Sequence, residues 1–385
     1  MKSPYVNYKL EKLVMVLPVM LILLQRISIP LYSFQLPMII PVIYAFVILF
    51  FLIDKIKINI YRLLLFIALV FILSLTTVLN GNYVITSYLY LIVIYLPFVF
   101  VIQNPKLFNQ LISYFQNIMF FVALVGIFQF VLQFYFEFFD PMTKLPAEFH
   151  TQGYVSTGEV AYGSGIFRAN GVFFLEASFF SQFLAIAIVI EIYYFKRIKR
   201  IFIKTIALIC TFSGTGLLIL LLFSIPFIKE LKFNHITKVL IFVVPFFIYF
   251  IGTSYGDSLI ARIGELTGGS KTNSGYIRFF GPLVLLEEQI NKDALIFLKG
   301  MGAGLSDDLW HFANNPALVK LLLEYGFFST LIFSMFFFFV LWQSQGKWVV
   351  KSSLLVMYMF LSGALLQPQT VYLNLLFASL FIKKG

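Results

Sequence analysis

The sequence predicts an all-α, polytopic membrane protein of about twelve membrane segments. Three observations predict it. The 385 residues are 61% hydrophobic and 12% charged, a balance that would leave a soluble core without polar cover. Apolar runs of about 20 residues recur along the whole length, and each can cross ~30 Å of hydrocarbon. Lys and Arg gather in short clusters between those runs, as the positive-inside rule produces. The net charge of +11 is therefore a matter of membrane topology. A nucleic-acid binder would gather its basic residues on one soluble face with aromatics between them, so no nucleic-acid partner is expected.

Taken in order, membrane segments are expected at 13–29, 35–53, 61–79, 83–102 and 111–136. Lys2, Lys9 and Lys12 precede the first run without an A-x-A cleavage site, so that run is expected to remain as a span. A loop at 137–171 leads to a segment at 172–195. The stretch 201–228 reads either as one long span or as two short arms. Charge parity selects the arms. Lys196, Arg197, Lys199, Arg200 and Lys204 flank one end, and Lys229, Lys232 and Lys238 flank the other. Both ends then lie on the cytoplasmic side, with an even number of crossings between them. The turn-prone residues 213–216 supply the break between arms at 201–213 and 216–228. Such broken helices persist where protein buries them or where they line a wet cavity.

Segments at 236–254, 316–342, 348–366 and 370–382 complete the set and leave a second large loop at 255–315, far longer than a typical connection. This count puts both termini in the cytoplasm and both loops outside. No repeat relates the two halves, which counts against a transporter of inverted repeats. The expectation is one integral membrane domain over 1–385.

The chemistry is expected at the external face. Cys210 is the only cysteine, so disulfides and cysteine-held metal clusters are excluded. The segment RANGVFFLEAS (168–178) places Arg168, Asn170 and Glu176 where a loop meets a membrane helix. A carboxylate there is costly to bury without a partner. Arg168, Arg262 and Arg278 are the external-loop arginines, and a guanidinium fork matches phosphate at any relevant pH. His311 stands among Asp307, Asp308, Trp310, Asn314 and Asn315, where an imidazole can take a proton near neutral pH. Glu176 is either a base or the residue that holds Arg168. Thr215 and the amides at 214–216 begin a short helix and could bind phosphate there. His150 has no motif around it, His235 is expected on the cytoplasmic side, and Glu191, near the inner end of its helix, is expected at the membrane interface. KGMGAGL (299–305) follows no strand, and no P-loop or Rossmann fingerprint exists, so no nucleotide, metal or other cofactor is expected.

Several of these stretches together resemble the O-antigen polymerase/ligase superfamily. RANGVFFLEASFFSQFLA (168–185) resembles the R-x-x-G-x-x-x-E-P-S-x-x-S/A motif of O-antigen and exopolysaccharide polymerases of the Wzy type. TFSGTGLLILLL (211–222) resembles their L-T-x-S-R-T-G-L-L hairpin. GYIRFFG (275–281), FLKGMGAGL (297–305) and HFANNPALVKLLLEYGFFSTLIF (311–333) resemble the loop arginine, the glycine turn and the N-x-x-L…E-x-G-x-x-G start of the next span. Order and spacing fit from about 160 to 345, while the first 150 residues match in hydropathy only. Gly214 stands where the family carries the hairpin arginine, Ala177 where it carries proline, and Asn314 where ligases carry histidine. The last departure favours polymerase over ligase.

The resemblance implies a GT-C-like membrane glycosyltransferase on the outer side of the bacterial cytoplasmic (inner) membrane. Its donor and acceptor would be glycans linked through diphosphate to a polyprenol, set in membrane lipid. A chain-length regulator and a flippase would be candidate partners. Arg168, Arg278 and Arg262 would hold the diphosphate; His311 or Glu176 would serve the acceptor hydroxyl; Asn170, Asn314, Asn315 and Thr215 would contact substrate. An O-antigen ligase of the same fold, and a lipid-linked sugar flippase, are the alternatives.

Overall fold

The computed structural model describes residues 4–31, 34–53, 55–160, 163–228, 276, 280–309, 315–361 and 365–383. Arg262, Arg278, His311 and Asn314 lie outside the described residues, as do the segment expected at 236–254 and part of the loop at 255–315. The described chain is mostly helical and forms two compact units. One comprises Met1–Leu24, Leu36–Tyr114 and Ser274–Gly385; the other comprises Gln25–Gln35 and Phe115–Asn273.

Among the described residues, four helices are long and apolar enough to cross a membrane: Ile60–Asn80, Pro105–Leu132, Ala177–Phe195 and Ala317–Gln343. Shorter apolar helices accompany them, including Ile39–Leu52 and Ile85–Val99. The protein is therefore a helical membrane protein.

In the first unit, helix α1 (Pro4–Leu23) ends six residues before the expected end of its span. Helices α2 (Ile39–Leu52), α3 (Ile60–Asn80) and α4 (Ile85–Tyr95) follow. Asn59 starts α3, its side-chain oxygen accepting from the amides of Tyr61 at 3.1 Å and Arg62 at 3.2 Å. Arg62 is wholly buried in an apolar helix. Among the described residues, no carboxylate pairs with it. It donates instead to Gln343 Oε1 (2.8 Å), to the Phe98 carbonyl (3.1 Å) and to the Ser379 carbonyl (3.2 Å). Carbonyls at the ends of other segments thus meet one cation, as the dipole at helix C-termini favours.

Helix α5 (Pro105–Leu132) leads from the first unit into the second. The second unit is built on α6 (Ala177–Ile190), whose every residue is buried. A π-helical turn, Glu191–Phe195, continues it, and Lys196 closes it in a left-handed conformation. Then come α7 (Ile198–Cys210) and α8 (Gly214–Ile228). The two arms are separate helices, but the break falls at 211–213, with Phe212 at φ 48°, and the glycines at 214 and 216 already belong to α8. Contacts along α6 fix the directions. The Ala169 amide donates to Cys210 O at the far end of α7, while Lys204 reaches Glu191 at the C-terminal end of α6. Thr215 meets Ser181 near the start of α6, and Tyr193 donates to Phe223 O near its end. So α7 runs against α6 and α8 runs with it, which makes the pair a helical hairpin. Gly216 lies so close to the Ser181 backbone that a Cβ would not fit.

The last part of the first unit departs most from the sequence-based boundaries. Helices α9 (Gly281–Lys292), α10 (Leu295–Lys299) and α11 (Ser306–Leu309) lead to α12 (Ala317–Gln343). Helix α12 is interrupted at Gly326, which has φ 76°. The glycine turn enters that gap. The Met301 amide donates to Leu323 O at 2.8 Å, the Gly302 amide donates to Glu324 O at 3.0 Å, and Gly300 and Gly326 touch with no space for a side chain on either. Helices α13 (Trp348–Val356) and α14 (Pro368–Ala378) end the fold. A full span was expected at 370–382. At 1.5 Å per residue, the 11 residues of α14 rise only about 16 Å, too short to cross alone. Protein buries the whole helix, the condition under which short segments persist at membrane depth.

Candidate functional site

The loop before α6 is held by Gln129 in the last turn of α5 and by Gln133 just past the end of that helix. Gln133 accepts from the Phe167 amide at 2.7 Å and donates to the Phe167 carbonyl at 3.1 Å. One helical turn earlier, Gln129 accepts from the Asn170 amide at 3.1 Å and donates to Asn170 Oδ1 at 2.9 Å. Asn170 is fully buried, and its side chain also donates to Ser156 O and accepts from the Val172 amide, both at 2.9 Å. Its hydrogen-bonding capacity goes into holding the loop. Val172, at φ 68°, turns the chain toward α6, and its carbonyl accepts from Arg26 at 2.8 Å. Arg26 also pairs with Asp140 at 2.6 Å, with both side chains buried.

Arg168 is half-buried on this frame. Its amide donates to the Gly158 carbonyl at 2.9 Å, and its Nε reaches the same oxygen at 3.3 Å. Glu176 is the residue before α6, in extended conformation. Its carboxylate accepts from the Ser178 hydroxyl at 3.0 Å and from the Val155 amide at 3.4 Å. The Gly158 carbonyl is thus one partner that holds Arg168 on this frame. Beside Glu176, hydroxyls cluster where α6 and α8 both begin. Ser181 donates to Ser178 O at 2.7 Å, Thr215 lies 3.4 Å from Ser181 Oγ, and Ser213 lies 3.1 Å from Thr215. Thr215 is 3% exposed. Two helix N-termini therefore open beside a half-exposed carboxylate and a short hydroxyl chain, a setting that suits a phosphate or a sugar hydroxyl.

A second polar cluster lies in the first unit, at the start of α12. Lys320 contacts both oxygens of Asp307 at 2.6 Å and lies 3.5 Å from Glu324. Ser306 donates to Glu324 at 2.5 Å. Glu324 and Lys320 are buried, while the Asp307 carboxylate stays largely in the open. Asn315 is 3% exposed, and neither polar atom of its side chain has a hydrogen-bond partner among the described residues.

Sequence reasoning missed a third set. At the other end of α6, Lys204 and Glu191 form an ion pair at 2.8 Å with no exposed side-chain surface on either. Gln116 bonds Lys204 and donates to Ala187 O at 3.0 Å, and Arg197 bonds the second Glu191 oxygen. Lys204 had counted as a flanking cytoplasmic charge and Glu191 as an interfacial one. The Glu191–Lys204 spacing of 13 residues carries no motif, and Gln116 lies 88 residues from Lys204, so only the fold could join them.

Comparison with known proteins bears on the site. Residues 13–296 match the profile of a family described as WcaD colanic acid polymerase. The match takes in much of the first 150 residues, where motif reasoning found likeness in hydropathy alone, and it covers the segments carrying Arg168, Glu176 and Thr215. No curated protein matches the chain significantly.

Proposed function

The chain belongs to the WcaD colanic acid polymerase family, and on that premise we propose that it polymerises oligosaccharide repeats carried on polyprenyl diphosphate at the outer face of the cytoplasmic membrane. A hydroxyl of the acceptor repeat attacks the anomeric carbon of the donor. The bond from that carbon to the diphosphate oxygen breaks, and the hydroxyl proton passes to a base or to water. The leaving diphosphate needs positive charge in place as it departs. Arg168 and Arg278 provide it, with Arg262 as a further ligand. Thr215 and the amides at the start of α8 take the place of the family's missing hairpin arginine. His311 orients or deprotonates the acceptor together with Asn314 and Asn315.

The observation that carries this reading is the location of Arg168, on a rigid loop in the second unit where the starts of α6 and α8 also lie. The first unit adds support. An apolar cavity of about 710 Å³, lined by Leu286, Phe297, Pro316, Leu322, Leu331 and Phe360 among others, has the size and character for part of a prenyl chain.

Product analysis after gene deletion tests the function. A polymerase leaves single-repeat glycans. Long glycan that is never attached to its terminal acceptor would indicate a ligase. Lipid-linked repeats stranded on the cytoplasmic side would indicate a flippase.

A further inference from the structure

We propose that Gln182 is a substrate-binding residue of the site at the start of α6, its side-chain amide taking a hydroxyl of the sugar next to the diphosphate. The proposal rests on the reading of the substrate as a glycan carried on a lipid diphosphate. Gln182 is 2% exposed, and its Oε1 has no hydrogen-bond partner among the described residues. It sits in a helix whose other residues, Ser178 and Ser181 apart, are apolar. A buried amide acceptor left unmade lowers stability, and an apolar side chain of the same shape avoids that loss. Gln182 thus holds a place that stability alone would give to methionine or leucine.

Its position points to the site. Helical side chains lean toward the helix N-terminus, and residues four apart share a face, so the Gln182 amide lies over the turn of Ser178. Ser178 donates to the half-exposed Glu176 carboxylate at 3.0 Å. The neighbouring hydroxyls are committed: Ser181 donates to Ser178 O at 2.7 Å, and Ser213 and Thr215 lie 3.1 Å apart. Chemistry then selects the ligand. A diphosphate brings only acceptors and cannot satisfy Oε1, whereas a sugar hydroxyl both donates and accepts. The amide keeps one acceptor in either orientation, so the choice does not depend on how it is turned. The diphosphate is assigned to the starts of α6 and α8, and the first sugar is bonded directly to it. That sugar carries the hydroxyls within reach of the next turn.

The test measures binding, chain extension and melting temperature on full-length protein in nanodiscs. Two probes are compared: the lipid-linked saccharide extracted from cells lacking this protein, and polyprenyl diphosphate without sugar. Gln182→Met keeps the volume and removes both hydrogen-bonding atoms. It is expected to weaken saccharide binding by roughly 10-fold and to slow extension, with binding of polyprenyl diphosphate unchanged. Its melting temperature without substrate should equal or exceed that of the wild type, because the lone buried acceptor is gone. Gln182→Leu, of different shape, should show the same pattern. Unchanged saccharide affinity in both variants overturns the proposal while the reading of the substrate stands. Equal losses for the two probes overturn it too, since the amide would then serve the diphosphate. A lower melting temperature in both variants has the same force, because the amide would then be held by the protein. A wild-type protein that neither binds nor extends the saccharide overturns the reading of the substrate, and the role of Gln182 falls with it.

Discussion

A lysine with no exposed surface survives in an apolar helix only when its charge is matched. Lys204 meets that condition through Glu191 and Gln116. Removing one partner leaves an uncompensated buried charge, which typically costs about 3–5 kcal/mol. Glu191→Gln should therefore lower the melting temperature in detergent sharply. Pairing it with Lys204→Met should recover much of the loss, because two neutral groups of similar volume avoid the desolvation cost. Additive losses in the double variant would show that the two residues act apart. The residue scale also separates base from scaffold at the candidate site. Glu176 is committed to Ser178 and the Val155 amide, which suits a residue that shapes the start of α6. Glu176→Gln is expected to retain measurable extension, and His311→Ala to abolish it. If His311 is the base, the wild-type rate should fall as pH drops below about 6.5, because the imidazole must be neutral to accept a proton. A rate flat from about pH 5 to 8 would remove histidine from that role.

At the scale of elements, the hairpin of α7 and α8 bears on the expected topology. Its arms of 13 and 15 residues rise about 20 Å and 22 Å, so neither is long enough to be read as a span by hydropathy alone. Both arms lie on α6, and their turn lies at the end where α6 begins. Accessibility tags at Lys199 and Lys232 should therefore both report the cytoplasm. Opposite reports would make 201–228 a single crossing and move the loop at 255–315 inside. The break in α12 follows the same logic of buried irregular backbone. Amides of the glycine turn reach the carbonyls of Leu323 and Glu324, so the gap at Gly326 is filled by protein. The motif resemblance had marked both the glycine turn and the E-x-G at 324–326. That the first fills the gap made by the second is a tertiary fact.

At the scale of the whole molecule, class and family were legible in the sequence. Hydropathy and charge clusters specify a helical membrane protein, since water-to-hydrocarbon transfer depends on local composition and needs no partner. Arg168, Glu176 and Thr215 were visible because short motifs surround them. Their supports were not. Gln129 and Gln133 look like ordinary polar residues near a helix end, and they become a clamp only when α5 meets a loop some 34 to 41 residues later. Arg26 and Asp140 are 114 residues apart, and Arg62 finds its acceptors up to 317 residues away. The break between α7 and α8 was anticipated from turn chemistry, but its residues shifted toward 211–213, because Gly216 is needed inside α8 for close packing on Ser181. The sequence by itself thus determined the membrane character, the family and the motif residues, all of which follow from local composition and order. The tertiary structure alone decided which buried charges are paired and which glutamines hold the loop before α6. Those outcomes depend on distances between segments far apart in the chain, and such distances exist only once the chain has packed.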